Sequence, residues 1–158
     1  MKVMAWDQST KISAWSFFID GEYSESGVID LHKMSDTELR VKEMGLEICK
    51  KIGEYKPEIL FIEDIQQQQG NVMTLKLLAR IQGIAIGYAT AHNIPIHILP
   101  PSRWRSALAF KQGAGVKRPE LKAQAINYVE KNFGLTGLTD DESEAVCINS
   151  AAHKIYRL

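Results

Sequence analysis

Asp7, Glu63, Asp141 and Glu144 are the residues of this 158-residue chain whose types and spacing could do chemistry. Asp7 follows an apolar run from Met1 to Trp6. Glu63 lies near the C-terminal end of a short apolar stretch, Glu58 to Ile65, where an unpartnered carboxylate is costly to bury. Asp141 and Glu144 are three residues apart in a helical pattern and therefore share a face. Oxygen ligands from three distant segments suit Mg2+, with Mn2+ able to substitute. Two such ions roughly 4 Å apart can activate a water and stabilise the leaving oxygen of a phosphodiester, which makes metal-dependent phosphodiester hydrolysis the chemistry to expect. The ions would also relieve the mutual repulsion of the acids.

Each acid has a plainer role open to it. Asp7 before Gln-Ser-Thr fits an Asx-turn at a strand end. The run Asp140-Asp-Glu-Ser-Glu144 suits any helix N-terminus through the helix dipole, and Asp140 shares a face with Glu144 as well, so the third acid is either Asp140 or Asp141. Convergence of all four in one crevice is what selects the catalytic reading.

The elements that must position them follow from the hydrophobic pattern. Apolar runs at residues 1–6 and 12–19, and a third strand after Asp20-Gly21, read as an antiparallel meander. Ser35 to Glu38 fits a capping box for a helix that Pro57 ends. A buried strand over 58–65, a long helix over 71–92 and a strand over 94–99 ended by Pro100-Pro101 come next. Helices over 104–110, 119–132 and about 139–156 complete the chain. A meander fed into βαβ units predicts a single α/β domain over 1–158, with a mixed five-stranded RNase H-like sheet flanked by helices.

Composition is consistent with one folded domain: 45% of residues are hydrophobic, and the length supports one core but not two. There is no leader-like N-terminus and no stretch that reads as a bilayer span, so no membrane and a cytoplasmic location, in a bacterium or a phage-infected host, are expected. Cys49 and Cys147 lie in helical apolar patterns without CxxC spacing and read as buried reduced thiols. The four histidines share no ligand spacing, and Trp6, Trp15 and Trp104 read as packing anchors. Formal net charge is zero, yet residues 103–122 carry six basic side chains against one acid, leaving the remainder acidic. Arg103, Arg105, Lys111, Lys117, Arg118 and Lys122 thus form a strip suited to phosphates, or alternatively an ordinary solvated surface.

These residues also resemble a known family. Met4-Ala-Trp-Asp-Gln-Ser-Thr10, Phe61-Ile-Glu63, the stretch Asn71 to Gly87 and Asp141-Glu-Ser-Glu-Ala-Val-Cys-Ile148 are together similar to the RuvC family of Holliday-junction resolvases over nearly the whole chain. The resemblance implies a crossover junction endodeoxyribonuclease acting on branched double-stranded DNA, a homodimer built on the 71–87 helix, and DNA phosphate contacts at Arg105 and Lys122. Glu144 stands where the family usually has Asp, and Arg105 where it has Lys. After Glu63 the chain carries Gln66-Gln-Gln-Gln69 where bacterial members present an aromatic residue to the junction centre; Gln67 and Gln68 could hydrogen-bond DNA there instead. This divergence resembles a phage-type member. Two other functions compete: a non-catalytic branched-DNA-binding accessory protein, and an actin-like-fold small-molecule kinase, whose first phosphate loop the Trp6 to Thr10 segment also resembles but whose second lobe the length does not accommodate.

Overall fold

The computed structural model describes residues 1–66 and 71–158. Five strands form one mixed sheet in the order β3-β2-β1-β4-β5, from β1 (Lys2–Asp7), β2 (Ile12–Ile19), β3 (Glu22–Asp30), β4 (Ile59–Glu63) and β5 (Ile96–Leu99). The meander β1-β2-β3 is antiparallel. β4 and β5 add in parallel on the other side of β1, as the RNase H-like reading expects. Asp20 (φ 52°) and Gly21 (φ 84°) make the tight β2–β3 turn, a conformation that Asp-Gly pairs favour.

Side-chain alternation along the strands divides the core in two. Met4, Trp6, Leu60 and Ile62 face α1 (Thr37–Tyr55) and α2 (Val72–Ala91), while Val3, Ala5 and Phe61 face the layer of α3 (Pro101–Ala107), α4 (Arg118–Phe133) and α5 (Asp140–Tyr156). α1 and α2 approach closely at Gly45, where a Cβ would stand 2.5 Å from Ile84 Cδ1. On the opposite face the small residues Ala145, Ala151 and Ala152 let α5 lie close against the sheet. Asn149 fixes it there: its buried amide donates to the Val3 carbonyl (3.2 Å) and the Ser16 carbonyl (3.3 Å), and the Ser16 hydroxyl donates to the Ala145 carbonyl at 2.7 Å.

Several element boundaries differ from the sequence reading. α1 is capped by Asp36, whose side chain accepts from the Leu39 amide, not by Ser35. β4 and β5 are shorter than the apolar runs that contain them. α3 starts at Pro101, three residues earlier than expected, because proline suits a first helical turn as well as it ends a strand. Contrary to the expectation of no bilayer-length segment, α2 is 20 residues long with mean hydropathy 1.2, long and apolar enough to cross a membrane by those criteria. Its Leu77, Ile81, Ala85 and Ala89 pack into the α1 side of the core. Cys147 is buried, Cys49 is half-buried, and both are free thiols.

Candidate active site

Period-two alternation continues past the sheet core. Asp7 falls on the same face as Val3 and Ala5, and Glu63 on the same face as Phe61, so both carboxylates point toward the α5 layer. The parallel register pairs Trp6 with Ile62, which sets Asp7 and Glu63 at the adjoining C-terminal ends of the two central strands. α5 crosses above them. Its N-cap Thr139 accepts from the Glu142 amide and fixes where the helix begins; the Asn149 anchor fixes its rotation.

Carboxylate oxygens of Asp7, Asp141 and Glu144 consequently lie within 4.8 Å of one another. Asp140 turns aside and pairs with Lys122. Glu63 stands beside the trio in a different state: Oε1 accepts a hydrogen bond from the Trp104 indole at 2.7 Å, and Arg105 Nη2 is 3.9 Å from that same oxygen and 3.5 Å from Glu144 Oε1. Trp104 is completely buried, so the sequence reading of it as a packing anchor holds but omits its polar end. The Trp104-Arg105 pair one turn into the helix after β5 is the signal that could have found it.

Electrostatics follow from this crowding. Burial, then the charges of Glu63, Glu144 and Asp141, hold the Asp7 carboxyl well above the usual carboxylate range, with Lys122 opposing. Burial pushes Glu63 up to about 7 against the Trp104 hydrogen bond, with Glu144 adding to the rise and Arg105 and Arg118 resisting it. Glu144 is raised as well, first by burial, with Arg105 and Lys122 opposing and Asp141 contributing. Lys122 hydrogen-bonds Asp140 and holds that carboxyl below its ordinary value.

The turn after Asp7 is braced independently. Ser13 Oγ accepts from the Ser9 amide (2.9 Å) and donates to the Ser9 carbonyl, while the buried Arg40 donates through Nε to the Thr10 carbonyl at 3.0 Å. This turn forms one wall of a cleft of about 450 Å³ that also includes Asp7, Glu63, Asp141, Arg118 and Lys122.

Among the basic strip, then, Arg105, Arg118 and Lys122 face the acids. Arg103, Lys111 and Lys117 do not line the cleft: Arg103 stacks over the Tyr156 ring at 5.4 Å, Lys111 is exposed in the α3–α4 connection, and Lys117 caps α4. Gln67 and Gln68 lie outside the described residues. His153 packs on Phe18 and its ring nitrogen pairs with the Asn149 carbonyl, away from the acids.

Hard oxygen donors from β1 and α5, with the Glu63 carboxylate of β4 beside them, fit a divalent cation, which relieves the repulsion that the neighbouring acids exert on Asp7.

The structure can be set beside solved ones. It matches Thermus thermophilus RuvC in complex with a Holliday junction substrate with a TM-score of 0.79 at 15% identity, over 99% of this chain and 96% of that one. The fold is that of RuvC. Fowlpox virus resolvase, solved with Holliday junction DNA, matches the RuvC-like chain at 0.66 over 100% of this chain and 99% of that one, at 15% identity. In sequence the chain resembles the crossover junction endodeoxyribonuclease RuvC of Cytophaga hutchinsonii, 27% identical over 121 residues, or 77% of this chain and 60% of that protein. RuvC of Corynebacterium diphtheriae is 27% identical over 92 residues, 58% of this chain and 56% of that one. The matched stretch thus spans about 60% of the Cytophaga protein's length. No family model matches the chain.

Proposed function

We propose that the chain is a structure-selective endonuclease that hydrolyses phosphodiester bonds at Holliday junctions or other branched DNA, with Mg2+ as cofactor and Mn2+ as a substitute. The observation that carries this reading is the convergence of Asp7, Asp141 and Glu144 within 4.8 Å, beside Glu63, on a RuvC fold. Two divalent ions, when bound, supply Lewis-acid stabilisation of charge on the reacting phosphate and its leaving oxygen.

The chain's own residues do the rest. Asp7, Asp141 and Glu144 gather the ligand oxygens, and Glu63 extends the set along the strand ends. Arg118 and Lys122 face the same cleft and hold the phosphates flanking the scissile bond, so that positive charge meets the backbone beside the acids. Arg105, tied to Glu63 and Glu144, limits the repulsion between those acids and the incoming phosphodiester. The braced turn at Ser9 and Thr10 forms a rigid wall against which a DNA strand is oriented.

Cleavage of two strands at a symmetric junction calls for two such sites. The outer face of α2 supports a homodimer: Val72 and Met73 are exposed at its start, and Gly83 and Gly87 further along have open space around them. Activity on DNA in turn implies the cytoplasm of a bacterium or of a phage host.

The test is cleavage of labelled four-way, three-way and flap DNAs with magnesium, manganese or calcium. Symmetric metal-dependent nicking of the four-way junction is expected. Equal binding with metal and with chelator, and no cleavage of any substrate, would establish the accessory-binder reading instead. Tight ATP binding by calorimetry, with no cleavage of any DNA, would favour the actin-like kinase reading instead.

A further inference from the structure

Trp104 sits at the site without belonging to the carboxylate set. Its indole is fully buried in the α3–α5 side of the core, edge-on to Phe110 with centroids 5.7 Å apart, and the Arg105 guanidinium lies 4.8 Å from its ring. With the ring wedged in this way, the N–H has one direction, and it meets Glu63 Oε1 at 2.7 Å. Arg105 Nη2 approaches the same oxygen at 3.9 Å. The indole N–H and the Arg105 charge therefore both act on Oε1, and among the described residues Oε2 has no hydrogen-bond donor.

We propose that Trp104 is a positioning residue for Glu63: by holding Oε1 it locks the carboxylate's rotation and leaves Oε2 as the oxygen that ligates a divalent cation. This rests on the metal-dependent reading of the site and deepens it. A carboxylate on the end of a strand has three side-chain torsions, and an unrestrained one loses that freedom each time it ligates. A hydrogen bond from a rigid, buried neighbour removes the freedom beforehand, and partners of this kind commonly change metal affinity or activity by about 10- to 100-fold. The indole is well suited to this role because it donates but cannot accept, so it cannot compete with the carboxylate for the cation.

The experiment separates this role from packing. Position 104 is replaced with 3-benzothienylalanine, which keeps the bicyclic shape and exchanges the N–H for sulfur; Trp104→Phe is the second variant lacking the donor. Manganese(II) binding is measured by calorimetry on DNA-free protein, and kcat and KM on a four-way junction. Both variants are expected to bind manganese roughly tenfold more weakly and to lose kcat by a similar factor, with KM for the junction unchanged. A folded variant with wild-type manganese affinity and wild-type kcat overturns the proposal for Trp104 while leaving the nuclease reading intact. Wild-type protein that binds no manganese overturns both.

Discussion

Lys122 places its ammonium 3.3 Å from Asp141 Oδ1 while also hydrogen-bonding Asp140, so one cation bridges two consecutive acids of which only one joins the cluster. Its own pKa is raised: burial works against the charge, and the hydrogen bond to Asp140 and the charge of Asp141 outweigh it. The ammonium thus partly fills the electrostatic role of a divalent ion, and it also faces the cleft where phosphates would lie.

Lys122→Met should therefore separate two properties. Manganese binding to the DNA-free protein tightens by roughly threefold to tenfold, because a competing positive charge has been removed from beside the ligands. Junction affinity falls and its salt dependence becomes shallower by about one charge. Calorimetry and salt-titrated fluorescence anisotropy measure the two, and a loss of metal affinity would contradict this account of Lys122.

Asp7→Asn should abolish activity and stabilise the metal-free fold. Asp7 is disfavoured as a carboxylate by burial and by three neighbouring acids, and a neutral amide of the same shape removes that penalty. Metal-dependent cleavage is expected to fall by a factor on the order of 10³ or more, while the midpoint of thermal unfolding in chelator rises by about 2–4 °C. A midpoint that drops in chelator would show that the carboxylate is better accommodated than its neighbours imply.

The same groups set the pH dependence. Asp7, Glu63 and Glu144 all have folded-state pKa values above their ordinary ones, Glu63 at about 7. Between the ordinary carboxylate range and about pH 7 the folded state holds more protons than the unfolded one, so stability without metal must fall as pH rises through that window. Saturating magnesium should flatten or reverse the slope, since the ion binds the deprotonated folded form. Cleavage should rise over the same window. Thermal melts from pH 4.5 to 8, with chelator and with magnesium, test both signs.

Much of this site is legible in the sequence because it follows from period two. Once Met4 and Trp6 are assigned to one face, Asp7 must lie on the other, and the β-branched stretch ending at Glu63 reads as the central strand beside it. The choice between Asp140 and Asp141 is not legible, because helical spacing to Glu144 allows both. The rotation of α5 decides it, and that is set by Asn149 reaching Val3, 146 positions away. Trp104 is obscured for a related reason. Its ring has the composition of a core residue, and only the early start of α3 at Pro101 aims its N–H at Glu63. Arg103, Lys111 and Lys117 fit a basic strip by count, but helix geometry turns only Arg105, Arg118 and Lys122 toward the acids.

Asn149 offers the sharpest test of how far the site depends on the fold beneath it. Its amide is wholly buried and donates to the carbonyls of both Val3 and Ser16, tying α5 to the two central antiparallel strands. Asn149→Ala leaves those carbonyls without that donor and opens a small cavity, together costing about 2–4 kcal/mol. Asn149→Asp should be worse at neutral pH, because it buries a charge against two carbonyl oxygens. The effect on the site should exceed the effect on the fold: a slight rotation of α5 carries Asp141 and Glu144 away from Asp7, so manganese affinity of Asn149→Ala should fall even at temperatures where the protein is fully folded. Circular dichroism melts and manganese calorimetry at low temperature separate the two losses. A destabilised variant with wild-type manganese affinity would mean that packing on the sheet and on α3 and α4 holds α5 in register without the Asn149 hydrogen bonds.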